Sequence, residues 1–154
     1  MPKLSRWFVK SALVCLVLGC FLAALALSGS ATPLPPVVTA FRPLAWHLLT
    51  VGWATQLIFG VAFWMFPLTA RPAGVPPGVP SGRAADRRGN ERLGWAAFIL
   101  LNGGLALRAI GEPAGVLYPS LAAGPLLPLA ALTQVAAIII FVIFTWPRIR
   151  PLGK

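Results

Sequence analysis

Ionisable chemistry is scarce in this chain. Of 154 residues only 10% are charged, with 3 acids, 1 histidine, 2 cysteines and 1 tyrosine. Soluble globular domains carry about a quarter charged residues, so the composition excludes an ordinary soluble enzyme. Nucleophile–base–acid arrangements and multi-ligand metal sites need several His, Cys, Asp or Glu together. One histidine and three acids leave most such schemes without parts. No catalytic residue is assigned, and a stand-alone enzyme is not expected. Low polar content also excludes a disordered chain. The 16 prolines and 15 glycines follow no collagen-like period and fall mostly in connections.

What the chain has instead is apolar sequence, 58% of its residues. A helix needs about 20 mainly apolar residues to cross roughly 30 Å of hydrocarbon. Four blocks qualify, over about 7–27, 44–66, 93–111 and 126–146. The last is uncharged from Pro113 to Pro147, and its helix is expected to start near Leu126, because Pro125 and Pro128 suit a first turn. Lipid leaves no partner for open backbone groups, so the blocks read as helices. The fold class expected is all-α, an integral membrane antiparallel four-helix bundle forming one domain over 1–154.

A sequence pI near 11.7 raises nucleic-acid binding as a hypothesis. The placement of the bases argues for the lipid bilayer instead. Lys3, Arg6 and Lys10 precede the first block; Arg71, Arg83, Arg87, Arg88 and Arg92 lie between the second and third; Arg148, Arg150 and Lys154 follow the fourth. These eleven of the thirteen bases fall on one side of a four-span chain. The positive-inside rule puts that side, both termini and the hydrophilic loop 68–92 in the cytoplasm, and the chain in the cell (inner) membrane as a multi-pass protein. Trp7, Trp64, Trp95 and Trp146 fall at the same ends and Tyr118 at the other, as interfacial belts require.

The first block also has features of a secretory signal, with bases, an apolar run and then Ser28, Gly29, Ser30 and Ala31. Val17-Leu18-Gly19-Cys20 faintly resembles a lipoprotein cleavage box, but the apolar run continues to Leu27, which favours an uncleaved helix. Cys15 and Cys20, five apart on one helix, point about 140° apart and are not expected to bridge.

The candidate site lies in the second block. His47 sits one to two turns inside its outer end, and an ionisable group inside a span is a functional candidate. Neutral imidazole is the usual protein ligand for heme iron in a helix bundle. The competing reading is a structural histidine bonded across helices, to Thr50 or Asn102. Arg42 and Arg108 are the two bases outside the cytoplasmic groups, both at outer helix ends. Arginine is the natural bidentate partner for a carboxylate such as a heme propionate. Their ordinary roles would be snorkelling for Arg42 and an i,i+4 pair with Glu112 for Arg108. By helical phase Gly52, Gln56, Gly60 and Phe63 form a packing seam, while His47, Thr50, Ala54, Leu57, Val61 and Met65 form a smooth opposite face. Asn102-Gly103-Gly104 offers a further close approach in the third block.

Arg42-Pro43, His47, Val51-Gly52, Gly60, Trp64 and Pro67 resemble the second transmembrane helix of the catalytic subunit of the heme-copper oxidase and nitric oxide reductase superfamily. The stretch Leu100 to Pro113 and the closing Trp146-Pro147-Arg148 look like small four-helix proteins described as subunit-one-like. The resemblance implies heme bound with His47 as axial metal ligand; on the reading of the residues, Arg42, Arg108 and Thr50 complete the candidate cofactor-binding set. It implies a protein of electron transfer or diatomic gas handling. The chain departs from the family in having no second histidine, so it lacks a complete heme-copper site. Met65 lies about 27 Å further along the same helix and cannot ligate the same iron. A six-coordinate heme would therefore draw on a homo-oligomer or on subunits of a respiratory complex. The alternative is a cofactor-free accessory or assembly protein of such a complex. Transport is a third class, against which stand the lack of an acidic relay and the small number of helices.

Overall fold

The computed structural model describes residues 1–29, 35–66, 90–118 and 124–149, and every regular element among them is helical. Four helices are long and apolar enough to cross a membrane. Helix α1 spans Lys3–Ser28. A short α2, Pro36–Thr39, precedes α3, which runs Arg42–Met65. Helix α4 covers Glu91–Leu117, and α5 covers Leu126–Thr145, ending in a 3₁₀ turn over Trp146–Arg148. The expected loop 68–92 falls almost wholly outside the described residues.

Local chemistry sets the helix ends. Asn90 caps α4, its side chain accepting from the Arg92 N–H at 3.1 Å, and Glu91 in the first turn complements the helix dipole. Pro43 occupies the first turn of α3, where a missing N–H costs nothing, and Pro125 stands at the N-cap of α5. One boundary departs from expectation. Helix α4 continues through Pro113 to Leu117 instead of stopping at Gly111. An interior proline costs about 3 kcal/mol, whereas opening several backbone groups in lipid costs several kcal/mol each. The longer helix is the cheaper solution.

Helix α1 packs along α3 on the seam expected from helical phase, where Gly52, Gln56, Gly60 and Phe63 are all buried. A Cβ at Gly52 would stand 2.8 Å from Cys15 Cβ, and one at Gly60 would stand 2.9 Å from Phe8 Cβ and 3.2 Å from the Ser5 carbonyl oxygen. Only glycine lets these backbones approach so closely. In the Gly103-Gly104 pair it is Gly104 that meets α5, at Ala130, Thr133 and Gln134, while Gly103 faces open space. Cys15 is buried and Cys20 exposed, and both are free thiols.

Phenylalanines join α3 to α5. The rings of Phe59 and Phe141 stack at 3.6 Å between centroids, and those of Phe63 and Phe144 at 5.4 Å. With Leu4, Phe8, Ala97 and Leu101 they make the main core. A smaller cluster of Cys15, Leu44, Leu48 and Leu105 fills the other end. The outward surface is apolar as well, with Val17, Phe21, Ile58, Ile99, Leu132 and Ile143 all exposed, as lipid contact requires. Trp7, Trp64, Trp146 and Tyr118 are exposed at helix ends.

Contacts show which ends meet. Leu4 packs against Gly94, Ser5 donates to the Gly60 carbonyl, and Arg148 reaches the carbonyls of Phe63 and Phe66. The start of α1, the end of α3, the start of α4 and the end of α5 therefore share one end. At the other, Gly19 meets Leu48 and Leu49, and Gly111 meets Leu126 and Leu127.

Candidate functional site at the His47 end

His47 closes the first α-helical stretch of α3, Arg42–His47, and is followed by eight residues of π-helix, Leu48–Thr55, before α-helix resumes at Gln56. The wider turn is matched by side-chain bonding: the Thr55 hydroxyl donates to the Thr50 carbonyl, five residues back, at 3.0 Å. A π-segment is rare and found disproportionately at functional sites. Nothing in the composition of this stretch announces it.

The imidazole of His47 is half-buried, with Nδ1 3.0 Å from the Pro43 carbonyl oxygen. A carbonyl only accepts, so Nδ1 carries a proton, and in the neutral ring Nε2 keeps its lone pair. Asn102, one expected partner for His47, is committed elsewhere. Thr50, the other, is exposed and donates to the Trp46 carbonyl at 2.8 Å.

The two outer arginines part company. Arg108 pairs with Glu112 on its own helix, Nη1 to Oε1 at 3.2 Å, with side chains 17% and 5% exposed. Arg108 Nε and Glu112 Oε2 are buried with no hydrogen-bond partner. The Glu112 carboxylate also lies within electrostatic reach of His47 and of the Leu44 backbone N–H at the start of α3. His47, Arg108 and Glu112 thus gather where α3 meets α4. Arg42 stands five residues before His47, about 140° away on an α-helix. It is exposed, and it lines a cleft of about 450 Å³ with Trp46, Thr39 and the end of α1; His47 does not line that cleft.

Mid-bundle polar residues form a second feature that single-sequence reading does not assemble. Gln56 is fully buried and exchanges two 3.2 Å hydrogen bonds with Asn102. Asn102 Oδ1 also accepts from the Ser11 hydroxyl at 2.8 Å, and Nδ2 donates to the Phe98 carbonyl at 2.9 Å. The network ties α1, α3 and α4 together. The signal in the sequence is an amide side chain near the middle of the second and third apolar blocks, Gln56 and Asn102.

Among the described residues no three His, Cys, Asp or Glu side chains converge to hold a metal ion. Tested against heme, His47 fits as a single axial nitrogen, Arg42 is open to an anion, Arg108 is engaged by Glu112, and Thr50 is turned to its own backbone. No protein-family model, curated protein or solved structure matches the chain.

Proposed function

We propose that the chain is a multi-pass inner-membrane protein that binds heme through His47 and serves electron transfer or diatomic gas handling, as a homo-oligomer or beside respiratory-complex subunits. The observation that carries this is the hydrogen bond from His47 Nδ1 to the Pro43 carbonyl. Metal-ligating histidines characteristically anchor one ring nitrogen in this way, which fixes the ring and aims the other lone pair outward. The π-segment that follows and the half-burial of the ring leave it accessible from the side of the bundle. Bound heme would supply one-electron redox chemistry or gas ligation at its iron. The chain's own residues would bind and orient: His47 would hold the metal, with the Arg108–Glu112 pair on the neighbouring helix. In a second copy, or a partner, a further ligand would complete the coordination.

The helix ends that meet in the fold support an antiparallel order, and the base distribution supports cytoplasmic termini. A phosphatase active only outside the cytoplasm should work when fused after Tyr118 and be silent when fused after Ile149. The reverse pattern would place the chain upside down.

The second reading, a cofactor-free accessory protein, draws on the Arg108–Glu112 pair and the Gln56–Asn102–Ser11 network, which satisfy much of the intramembrane polarity internally. His47→Ala separates the two. Under the heme reading the variant keeps its helical content and loses all heme absorbance after heme addition. A heme band retained in full by the variant would remove His47 as ligand.

A further inference from the structure

The cleft at Arg42 lies where the end of α1, the short α2 and the first turn of α3 come together. Ala23, Ala26, Leu27, Ala45, Trp46 and Arg42 are among its lining, so its walls are mainly apolar and Arg42 is the cation among the described lining residues. Its volume, about 450 Å³, lies in the range of small-molecule sites, roughly 300–1,000 Å³. The place matters as much as the size. Arg42 opens a membrane-spanning helix, so it stands at the depth where lipid headgroups lie, and the exposed indole of Trp46 marks the same level. Among the described residues Arg42 makes no ion pair, whereas Arg108, the other arginine at this end, has its carboxylate. A guanidinium without an ion-pair partner among the described residues, beside an apolar wall, matches an anionic head on an apolar tail.

We infer that this cleft is a binding site for one anionic phospholipid, its phosphate on the Arg42 guanidinium and an acyl chain along Ala23, Ala26 and Ala45. The indole of Trp46 flanks the glycerol region, and Leu27 adds apolar surface beside the alanines. The site is independent of His47, which lies on another side of α3.

The test uses the full chain in phosphatidylcholine nanodiscs holding a minor fraction of brominated lipid, whose bromines quench indole fluorescence on contact. The readout is the share of quenching that disappears in Trp46→Phe. Brominated phosphatidylglycerol should quench that share about fivefold more effectively than brominated phosphatidylcholine, the enrichment expected from one basic residue at an anionic headgroup. Arg42→Gln should erase the preference, Arg42→Lys should keep most of it, and His47→Ala should leave it unchanged. Native mass spectrometry of phosphatidylglycerol retained by the purified wild type and by Arg42→Gln gives a reading that needs no tryptophan replacement. Equal quenching by the two lipids, or a preference that survives Arg42→Gln, would overturn the assignment. Loss of the preference in His47→Ala, with Arg42 intact, would overturn its independence from the heme site.

Discussion

Arg148→Met should lower stability by about 2–4 kcal/mol, the scale of charge-assisted hydrogen bonds lost from buried acceptors. Arg148 is 2% exposed and donates through Nη2 to the carbonyls of Phe63, at 3.2 Å, and Phe66, at 2.7 Å. Helix α3 ends at Met65, so its last carbonyls have no further turn to bond them. The guanidinium from the end of α5 serves as their cap. It also lies over the rings of Phe63, Phe66 and Phe144, at 5.5, 6.0 and 5.7 Å. Methionine would fill the volume and supply neither donor nor charge. Arg148→Lys should recover only part of the loss, because a point charge cannot serve two carbonyls and three rings as a planar fork does. Unfolding in mixed micelles or bicelles measures the effect. A Met variant within about 0.5 kcal/mol of wild type, the level of ordinary surface substitutions, would show that water satisfies those carbonyls and that the arginine is no cap.

The mid-bundle network should give the second large effect. Asn102→Leu removes the hub of four hydrogen bonds and strands Gln56, which is fully buried. Single interhelical hydrogen bonds in lipid are worth about 0.6–2 kcal/mol, so a loss of about 2 kcal/mol is expected for Asn102→Leu and somewhat less for Gln56→Leu. The double variant should cost less than the two losses added, with a coupling of about 1 kcal/mol, because the second substitution removes a group the first has already orphaned. Ser11→Ala should be the mildest. Additive losses would mean that Gln56 and Asn102 contribute only through their own packing. The network also suits specificity, since it aligns three helices that apolar surface alone would let slide.

Much of this architecture is legible from residue order. Lipid demands long apolar helices, so the four blocks surface in any scan for length, and the glycine–glutamine seam of α3 follows from phase alone. Other features escape for physical reasons. Pro113 reads as a stop because proline breaks helices in water, where open backbone groups find partners; in hydrocarbon they do not, and α4 runs on. Arg148 reads as one more topogenic base, and its partner Phe63 lies 85 positions away. The nearness of Glu112 to His47 depends on how α4 sits against α3, which no local pattern encodes. The π-helix after His47 has no composition signature. Of the candidate site residues, His47 and Arg108 come to one interface through Glu112, while Arg42 turns to a cleft of its own.

The measurement closest to the central claim is a reduced-minus-oxidised spectrum of the wild-type protein, purified in detergent after expression with heme supplementation. Heme ligation by His47 predicts a Soret band and a redox-sensitive difference spectrum at no more than one heme per chain, both absent from His47→Ala. A colourless wild-type protein that is folded and helical would contradict heme binding and leave the accessory reading in its place.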